Sequence, residues 1–400
     1  MDLTRNKVSD AAPRVLVLQN GARHHYAIPT VLENAGMLEA FYTDAVGNVG
    51  LGRLLSHGRH LPVVGLLLQR LANRRVPPRV AAKTVSFATA TILDLALKRD
   101  FVGQQMLRRG FGRATAIYSS LGWGRTFLKE ARRQGIPVVV ELYVRPSLWK
   151  TYQAEYRAFP GWERAMPLVD CENAVGTERD PCLVANYVIV PAEGVREDVA
   201  STHGFPKERI FVVPYGVGEA FFQINNKPVR GRILFAGSCC LGKGIHYLAM
   251  AAQILAAQNK DYEFRVAGHA SELVRGQGVC QNLNFLGRVP RNQISLEYES
   301  ADVFVLPTLS EGSASVTYEA LAAGIPVITT PVAGSVVRDG VEGRIIPERD
   351  PVAIADALEQ IIENRMLRDR MADAARERAN AYTQKRYGER LVAALEGFRL

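Results

Sequence analysis

The 400-residue chain has no run of about 18 apolar residues, so a membrane-spanning helix is not expected. Its opening stretch, MDLTRNKVSD, lacks the apolar core of a secretory signal. Cysteine is sparse: Cys171, Cys182, Cys239, Cys240 and Cys280 are odd in number and show no CxxC spacing. That argues against a disulfide framework or a zinc site and for reduced thiols in the cytoplasm. GxGxxG is missing after both candidate leading strands, which disfavours a dinucleotide-binding oxidoreductase. GxxxxGK[ST] fails as well, because Gly244 stands where a P-loop needs Ser or Thr.

What is present is an ordinary globular composition, 48% hydrophobic and 22% charged, in a length that suggests two or three domains. Two alternations of short apolar strands with amphipathic helices appear, the pattern of parallel α/β sheets. In the first half the strand signals are Arg14–Leu18, Ala116–Tyr118, Pro137–Leu142, Tyr187–Val190 and 208–214. In the second they are Arg232–Ala236, Glu263–Ala267, Leu283–Leu286, Val303–Leu306 and Pro326–Thr329. The polar, turn-rich piece 223–230 marks the boundary between a first domain, 1–222, and a second, 223–383. The last stretch, 384–400, is expected to be a helix returning to the first domain. Residues 51–115 fit the alternation badly and are expected to form a basic helical insertion. Between Arg53 and Arg113 twelve Lys and Arg face only Asp94 and Asp100. Such a field suits nucleic acid, an anionic membrane surface or an anionic substrate, or is simply a solvated basic face.

The most informative segment is Leu306–Thr330, LPTLSEGSASVTYEALAAGIPVITT. A buried strand ends at Leu306, a helix is expected from Ser313 or Ser315 with Ser as its N-cap, and Gly324 should stop it. The loop therefore sets backbone amides and a helix N-terminus at the carboxyl end of a parallel strand, where open α/β sheets bind ligands and phosphate is favoured. Glu311 and Glu319 flank it. They suit hydroxyl donors on sugar and ribose rings, or else Glu319 only complements the helix dipole and Glu311 is a solvated loop residue. Upstream, Ile233–Leu248 reads as strand, glycine-bearing loop and helix. Gly237 permits close approach and Lys243 can neutralise a diphosphate, although a plain strand-to-helix turn would look the same. After the first strand, Gly21, Ala22, His24 and His25 stand where a ligand would be met, or where the next helix merely begins.

Together the Lys243-Gly244 loop and the Glu311-x7-Glu319 segment resemble the signature of retaining glycosyltransferase family 4. Glu208–Gly216 and Asn284–Arg288 resemble that family's inter-domain strand and base-binding loop. These matches run in order from about residue 180 to 345, while the first half resembles the family only in its glycine loop and alternation. The resemblance implies an α/β fold of the GT-B type, two Rossmann-like domains facing a central cleft. It implies transfer of a hexosyl group from a nucleotide-diphosphate sugar, a co-substrate rather than a cofactor, to a glycan, lipid-linked or small-molecule acceptor. Polysaccharide or glycoconjugate biosynthesis is the expected setting. Glu311 would hold donor-sugar hydroxyls, with the amides of Gly312, Ser313, Ala314, Ser315 and Val316 beside the sugar and diphosphate. Glu319 would bind the ribose, Lys243 the diphosphate, and the backbone around Arg288 and Val289 the base, with Gly237 and Ser238 lining the loop.

Two departures stand out. Ser238 occupies the place of the family's arginine after the loop glycine, so either a cation from elsewhere, Arg23 or Arg145, compensates or the leaving group is less strongly stabilised. The family's acceptor-side His is also missing, and Glu141 or Tyr143 takes its neighbourhood. In the implied reaction the leaving phosphate can take the acceptor's proton, so the enzyme chiefly orients partners and stabilises charge. No Asp-x-Asp metal–nucleotide clamp occurs, and metal-independent transfer is expected. The expected location is the cytoplasm, extending to a peripheral seat on an anionic inner membrane face, with no nucleic-acid partner. The competing reading is a non-catalytic basic scaffold for membrane or nucleic acid that keeps a degenerate sugar-nucleotide fold.

Overall fold

The computed structural model describes residues 12–55, 69, 71–97, 100–164, 180–290 and 292–398. Cys171, Arg59, the apolar stretch 61–68, Arg70, Lys98 and Arg99 lie outside the described residues. Seven strands form one parallel sheet: β1 (Val15–Gln19), β2 (Leu38–Thr43), β3 (Thr84–Ser86), β4 (Ala116–Ser120), β5 (Val138–Glu141), β6 (Tyr187–Val190) and β7 (Ile210–Val212). Six more form a second: β8 (Arg232–Ala236), β9 (Glu263–Ala267), β10 (Leu283–Gly287), β11 (Val303–Leu306), β12 (Val327–Thr329) and β13 (Gly343–Ile345). The orders are β3-β2-β1-β4-β5-β6-β7 and β10-β9-β8-β11-β12-β13. Parallel neighbours require crossovers, and helices cover the sheet faces. The strands accordingly read as unbroken apolar runs such as VLVL and VFVL. In each sheet the winding reverses beside its first strand, between β1 and β4 and between β8 and β11. Those are the points where such sheets open a crevice at their carboxyl ends.

The longer helices are α1 (Ala27–Asn34), α2 (Ala88–Leu97), α3 (Phe101–Arg109), α4 (Arg125–Arg133), α5 (Leu148–Ala158), α6 (Glu193–His203), α7 (Ile245–Ala257), α8 (Ser315–Ala322), α9 (Pro351–Glu363), α10 (Arg365–Ala379) and α11 (Gln384–Glu396). Their ends carry recognisable chemistry. Asp350 caps α9 by accepting from Ala353 N at 2.9 Å, with Pro351 at the first helical position. The crossover between the sheets is pinned rather than loose. The Asn226 amide donates to the carbonyls of Tyr298, Glu299 and Ala301, and Arg376 donates to those of Phe222 and Ile224. Helix α11 lies against the first sheet's unit, where Phe398 stacks on Tyr187 at 4.5 Å and Gln384 Nε2 donates to Gly216 O.

Three strands carried no usable sequence signal. β3 lies inside the basic stretch 51–115 and supplies the edge of the first sheet, so that stretch contributes sheet as well as helix. β13 is the matching three-residue edge of the second sheet, and β2 follows α1 with only a short turn between them.

Candidate active site

The glycine-bearing loop leaves β8 through Gly237 and the exposed Ser238, then makes a single turn at Leu241–Lys243 before α7. That turn rests on the loop following β11: Gly242 O accepts from Leu309 N at 2.9 Å and from Thr308 Oγ1 at 3.0 Å. This seating brings the Lys243 ammonium into an ion pair with the Glu311 carboxylate, one partner from each side of the β8–β11 reversal. Burial pushes the Lys243 ammonium below its ordinary value, and that cost falls when an anion is beside it.

From Glu311 onward the loop runs along residues 332–334. Glu311 N donates to Val332 O at 3.2 Å and Ala314 N to Ala333 O at 3.0 Å. Of the five amides expected to face a ligand, that of Ala314 is therefore already engaged. Among the described residues, the amides of Gly312, Ser313, Ser315 and Val316 meet no protein acceptor, and they gather at the N-terminus of α8. A serine cap was expected there, but the cap position is Ala314, with no side-chain hydrogen bond. The Ser313 hydroxyl is drawn instead to Gly334 O at 2.7 Å and to the Tyr318 hydroxyl at 3.0 Å. Gly324, at φ +73°, ends the helix as expected. Glu319 lies on the second turn of α8, where its Oε2 accepts from the hydroxyl of the fully buried Tyr298 at 2.9 Å. Arg288 is exposed and Val289 half-buried just past the end of β10.

On the first sheet, Arg23 is the centre of a compact cluster. It pairs with Glu141 at 3.3 Å, donates to the Tyr215 hydroxyl and lies 3.2 Å from the centroid of the Tyr143 ring. Glu141 is only 2% exposed and also accepts from Ser120, so it is a buried counter-ion rather than a carboxylate open to an acceptor. Arg145 donates to Gly194 O on α6, whereas Arg23 lies over Tyr143, whose carbonyl meets Gly312 of the second sheet's loop. His24, 4.3 Å from the Tyr215 ring, is pushed down to about 3 by burial and by Arg23, and is thus neutral. His24, His25 and Tyr26 all have left-handed backbones, at φ 44°, 52° and 62°. Each costs about 1–2 kcal/mol in a non-glycine residue, and such strain concentrates at ligand sites. The preceding loop is tied down by Asp44, which accepts from Gly21 N at 3.0 Å and pairs with Arg74. A cavity of about 940 Å³ opens beside His24 and His25, walled by α1 and α11.

The two halves meet at the site. A Cβ on residue 312 would stand 1.8 Å from the Tyr143 carbonyl oxygen, so only glycine lets the second sheet's loop touch the first sheet's loop there. Sequence reasoning missed Asp44, Tyr298 and Tyr215 as site components. Tyr215 lies within the quoted 208–216 stretch, but only the fold shows its hydroxyl against Arg23. Among the described residues one group, Asp180, Cys182 and His203, has the donor types and spacing of a metal site, and it includes no cleft residue. Its atoms have structural partners, since Asp180 accepts from Cys182 N at 2.8 Å and pairs with His203 at 3.0 Å.

Residues 218–378 match the family model described as glycosyl transferases group 1. The D-inositol 3-phosphate glycosyltransferase of Corynebacterium diphtheriae is 30% identical over 179 residues, 41% of this chain and 42% of that protein. The capsular polysaccharide biosynthesis glycosyltransferase CapM of Staphylococcus aureus is 26% identical over 244 residues, 55% of this chain and 64% of that protein. The chain spans about half the length of the first such relatives, from 42% to 56%. Among solved structures, Anabaena HepE in complex with UDP and glucose superposes with a TM-score of 0.62 at 16% identity, covering 96% of this chain and all of that one. At that identity the likeness shows the fold: two Rossmann-like domains in the GT-B arrangement.

Proposed function

We propose, on the premise that this chain belongs to the glycosyl transferases group 1 family, that it moves a hexosyl group from a nucleotide-diphosphate sugar to an acceptor with retention at the anomeric carbon. The observation that carries the reading is the meeting of Lys243 and Glu311 at the β8–β11 reversal, beside four unengaged amides at the N-terminus of α8. Amides and a helix terminus favour phosphate, and Lys243 adds a charge-assisted partner for the diphosphate as it leaves. Glu311 then accepts from donor-sugar hydroxyls, Glu319 from the ribose, and the chain around Arg288 and Val289 borders the base. The acceptor side is the Arg23 cluster with Gly21, Ala22, His24, His25 and Tyr143, closed against Gly312. Catalysis is positioning plus stabilisation of charge on the leaving phosphate, which takes the acceptor's proton. No step calls for a metal ion.

The test is a thermal-shift panel of UDP-, GDP- and ADP-sugars, followed by transfer assays with EDTA present. One nucleotide series should raise the midpoint and support turnover. Lys243→Ala should weaken its binding about ten- to a hundredfold, as loss of a charge-assisted contact does. Glu311→Gln should slow transfer more than it weakens binding. A wild-type protein that no nucleotide sugar stabilises would remove the reading and favour the non-catalytic scaffold.

For the acceptor, one surface favours a lipid-linked molecule. Helix α2 exposes Ile92, Leu93 and Leu97, and the adjoining α3 ends in the exposed Arg108 and Arg109, a combination suited to an anionic membrane face.

A further inference from the structure

Helix α5 follows β5 in the chain, yet its polar groups serve the other sheet. Glu155, 1% exposed, accepts from His246 Nε2 at 3.0 Å, Tyr247 Oη at 3.2 Å and Arg349 Nε at 2.5 Å, all three beyond the domain crossover. Arg349 adopts a left-handed backbone, φ 62°, in making that contact. Phe159 packs edge-on against His246 at 4.4 Å, and Trp162 against the same ring at 5.5 Å. These contacts anchor the segment 148–163 on α7.

Once anchored, the segment reaches the Leu241–Lys243 turn. Glu163 Oε1 accepts from Leu241 N at 2.5 Å, and Tyr156 Oη donates to the other oxygen at 2.9 Å. Leu241 N is the first amide of a one-turn helix and has no partner within it, so a side chain must satisfy it. Tyr152 lies over the same turn, its hydroxyl 2.3 Å from where a Cβ on residue 242 would stand. The turn that carries Lys243 is thus clamped from one side by residues 308–309 and from the other by Tyr152 and Glu163. A carboxylate close to a diphosphate loop repels the ligand that loop is read to bind. Its presence is therefore better explained by the shape it imposes on the turn than by contact with phosphate.

We infer that Glu163, with Tyr152, is a positioning residue for the donor: it fixes the 241–243 turn so that Lys243 meets Glu311 and the diphosphate. The inference rests on the glycosyl-transfer reading given above. It also makes the donor loop's geometry depend on a segment that follows β5, the strand bearing Glu141, the buried counter-ion of Arg23.

Glu163→Ala, Glu163→Gln and Tyr152→Phe are compared by donor KM, acceptor KM and kcat, and by calorimetry with UDP, GDP and ADP. Glu163→Ala should raise donor KM and the nucleotide Kd about tenfold with acceptor KM unchanged. Glu163→Gln keeps a carbonyl oxygen for Leu241 N and should recover most of that loss. Tyr152→Phe should fall between them. A purely structural role would lower the melting temperature of Glu163→Ala while its folded fraction kept wild-type donor KM, and that result overturns the inference. So does a Gln variant as impaired as the Ala variant. Should Glu163→Ala fail to fold, the same comparison between wild type and the Gln and Phe variants decides: a larger effect of Phe than of Gln on donor KM supports the brace, and wild-type donor KM in both rejects it. Wild-type protein binding none of the three nucleotides sinks the transfer reading instead, a different outcome from wild-type binding that the variants leave unchanged.

Discussion

Glu319 has two obligations that a substitution can separate. It accepts from the buried Tyr298 hydroxyl at 2.9 Å, and in the proposed site it also accepts from ribose hydroxyls. Glu319→Ala should weaken nucleotide binding about ten- to a hundredfold and lower stability by about 1–3 kcal/mol, since the Tyr298 hydroxyl is left buried without a partner. Glu319→Gln retains an oxygen for Tyr298, so it should lose affinity with little change in melting temperature. Calorimetry with the preferred nucleotide beside thermal melts checks this, and wild-type affinity in both variants would take the ribose away from Glu319. The carboxylates of this segment were legible in sequence because a buried strand, small polar residues and a helix stop frame them. Tyr298 was not, because its hydroxyl meets Glu319 only when α8 packs beside the residues preceding β11. Nor could residue types show that Glu141 lies under Arg23, or that Ser313 forgoes the cap to bond Gly334 O.

At the scale of elements, α2 and α3 form a small unit whose two acids, Asp94 and the α3 cap Asp100, are both engaged by backbone amides. Asp94 accepts from Phe101 N at 2.6 Å and from Val102 N, so the outward face of α2 shows Ile92, 60% exposed, and Leu97, 56% exposed, without a negative charge. With Arg108 and Arg109 exposed on the adjoining helix, each cation near an anionic leaflet adds about 1 kcal/mol. Co-sedimentation with phosphatidylglycerol vesicles should recover the protein at low salt and lose it at high salt. Ile92→Glu with Leu97→Glu should abolish binding while leaving transfer to a water-soluble acceptor intact. Equal recovery with neutral and anionic vesicles would return this face to solvent. The helix and its basic neighbourhood were readable from composition. The edge strand β3 was not, because three half-buried residues give no periodicity, and its place beside β2 is decided by the sheet. Central strands β8 and β11, buried along nearly their whole length, and β9 beside β8 announced themselves residue for residue.

Across the whole molecule, buried polar groups such as Glu155 and His246 join the two sheets, and His246 and His24, the latter on the first sheet's side, are histidines held neutral. Burial, reinforced by Arg23, drives His24 to about 3, and burial holds His246 below its ordinary value although Glu155 pulls the other way. For both, the folded value lies below the unfolded value of about 6.5, so the unfolded chain binds more protons as pH falls through that region. Stability should therefore be complete above about pH 7 and decline on acidification, by about 1 kcal/mol for His24 between about pH 7.5 and 5.5, with His246 acting in the same direction. Glu155 does not offset this. Burial raises its value, but hydrogen bonds from His246 and Arg349 outweigh that and bring it below the ordinary one. Its contribution is thus kept above about 4.5 and lost only at lower pH. Urea unfolding at the two pH values should show a lower midpoint at 5.5 for the wild type. His24→Gln and His246→Gln should each shrink the difference, and the second substitution still leaves an amide proton to donate to Glu155. Identical midpoints at both pH values, or variants as acid-sensitive as the wild type, would show that neither ring is kept neutral by its burial.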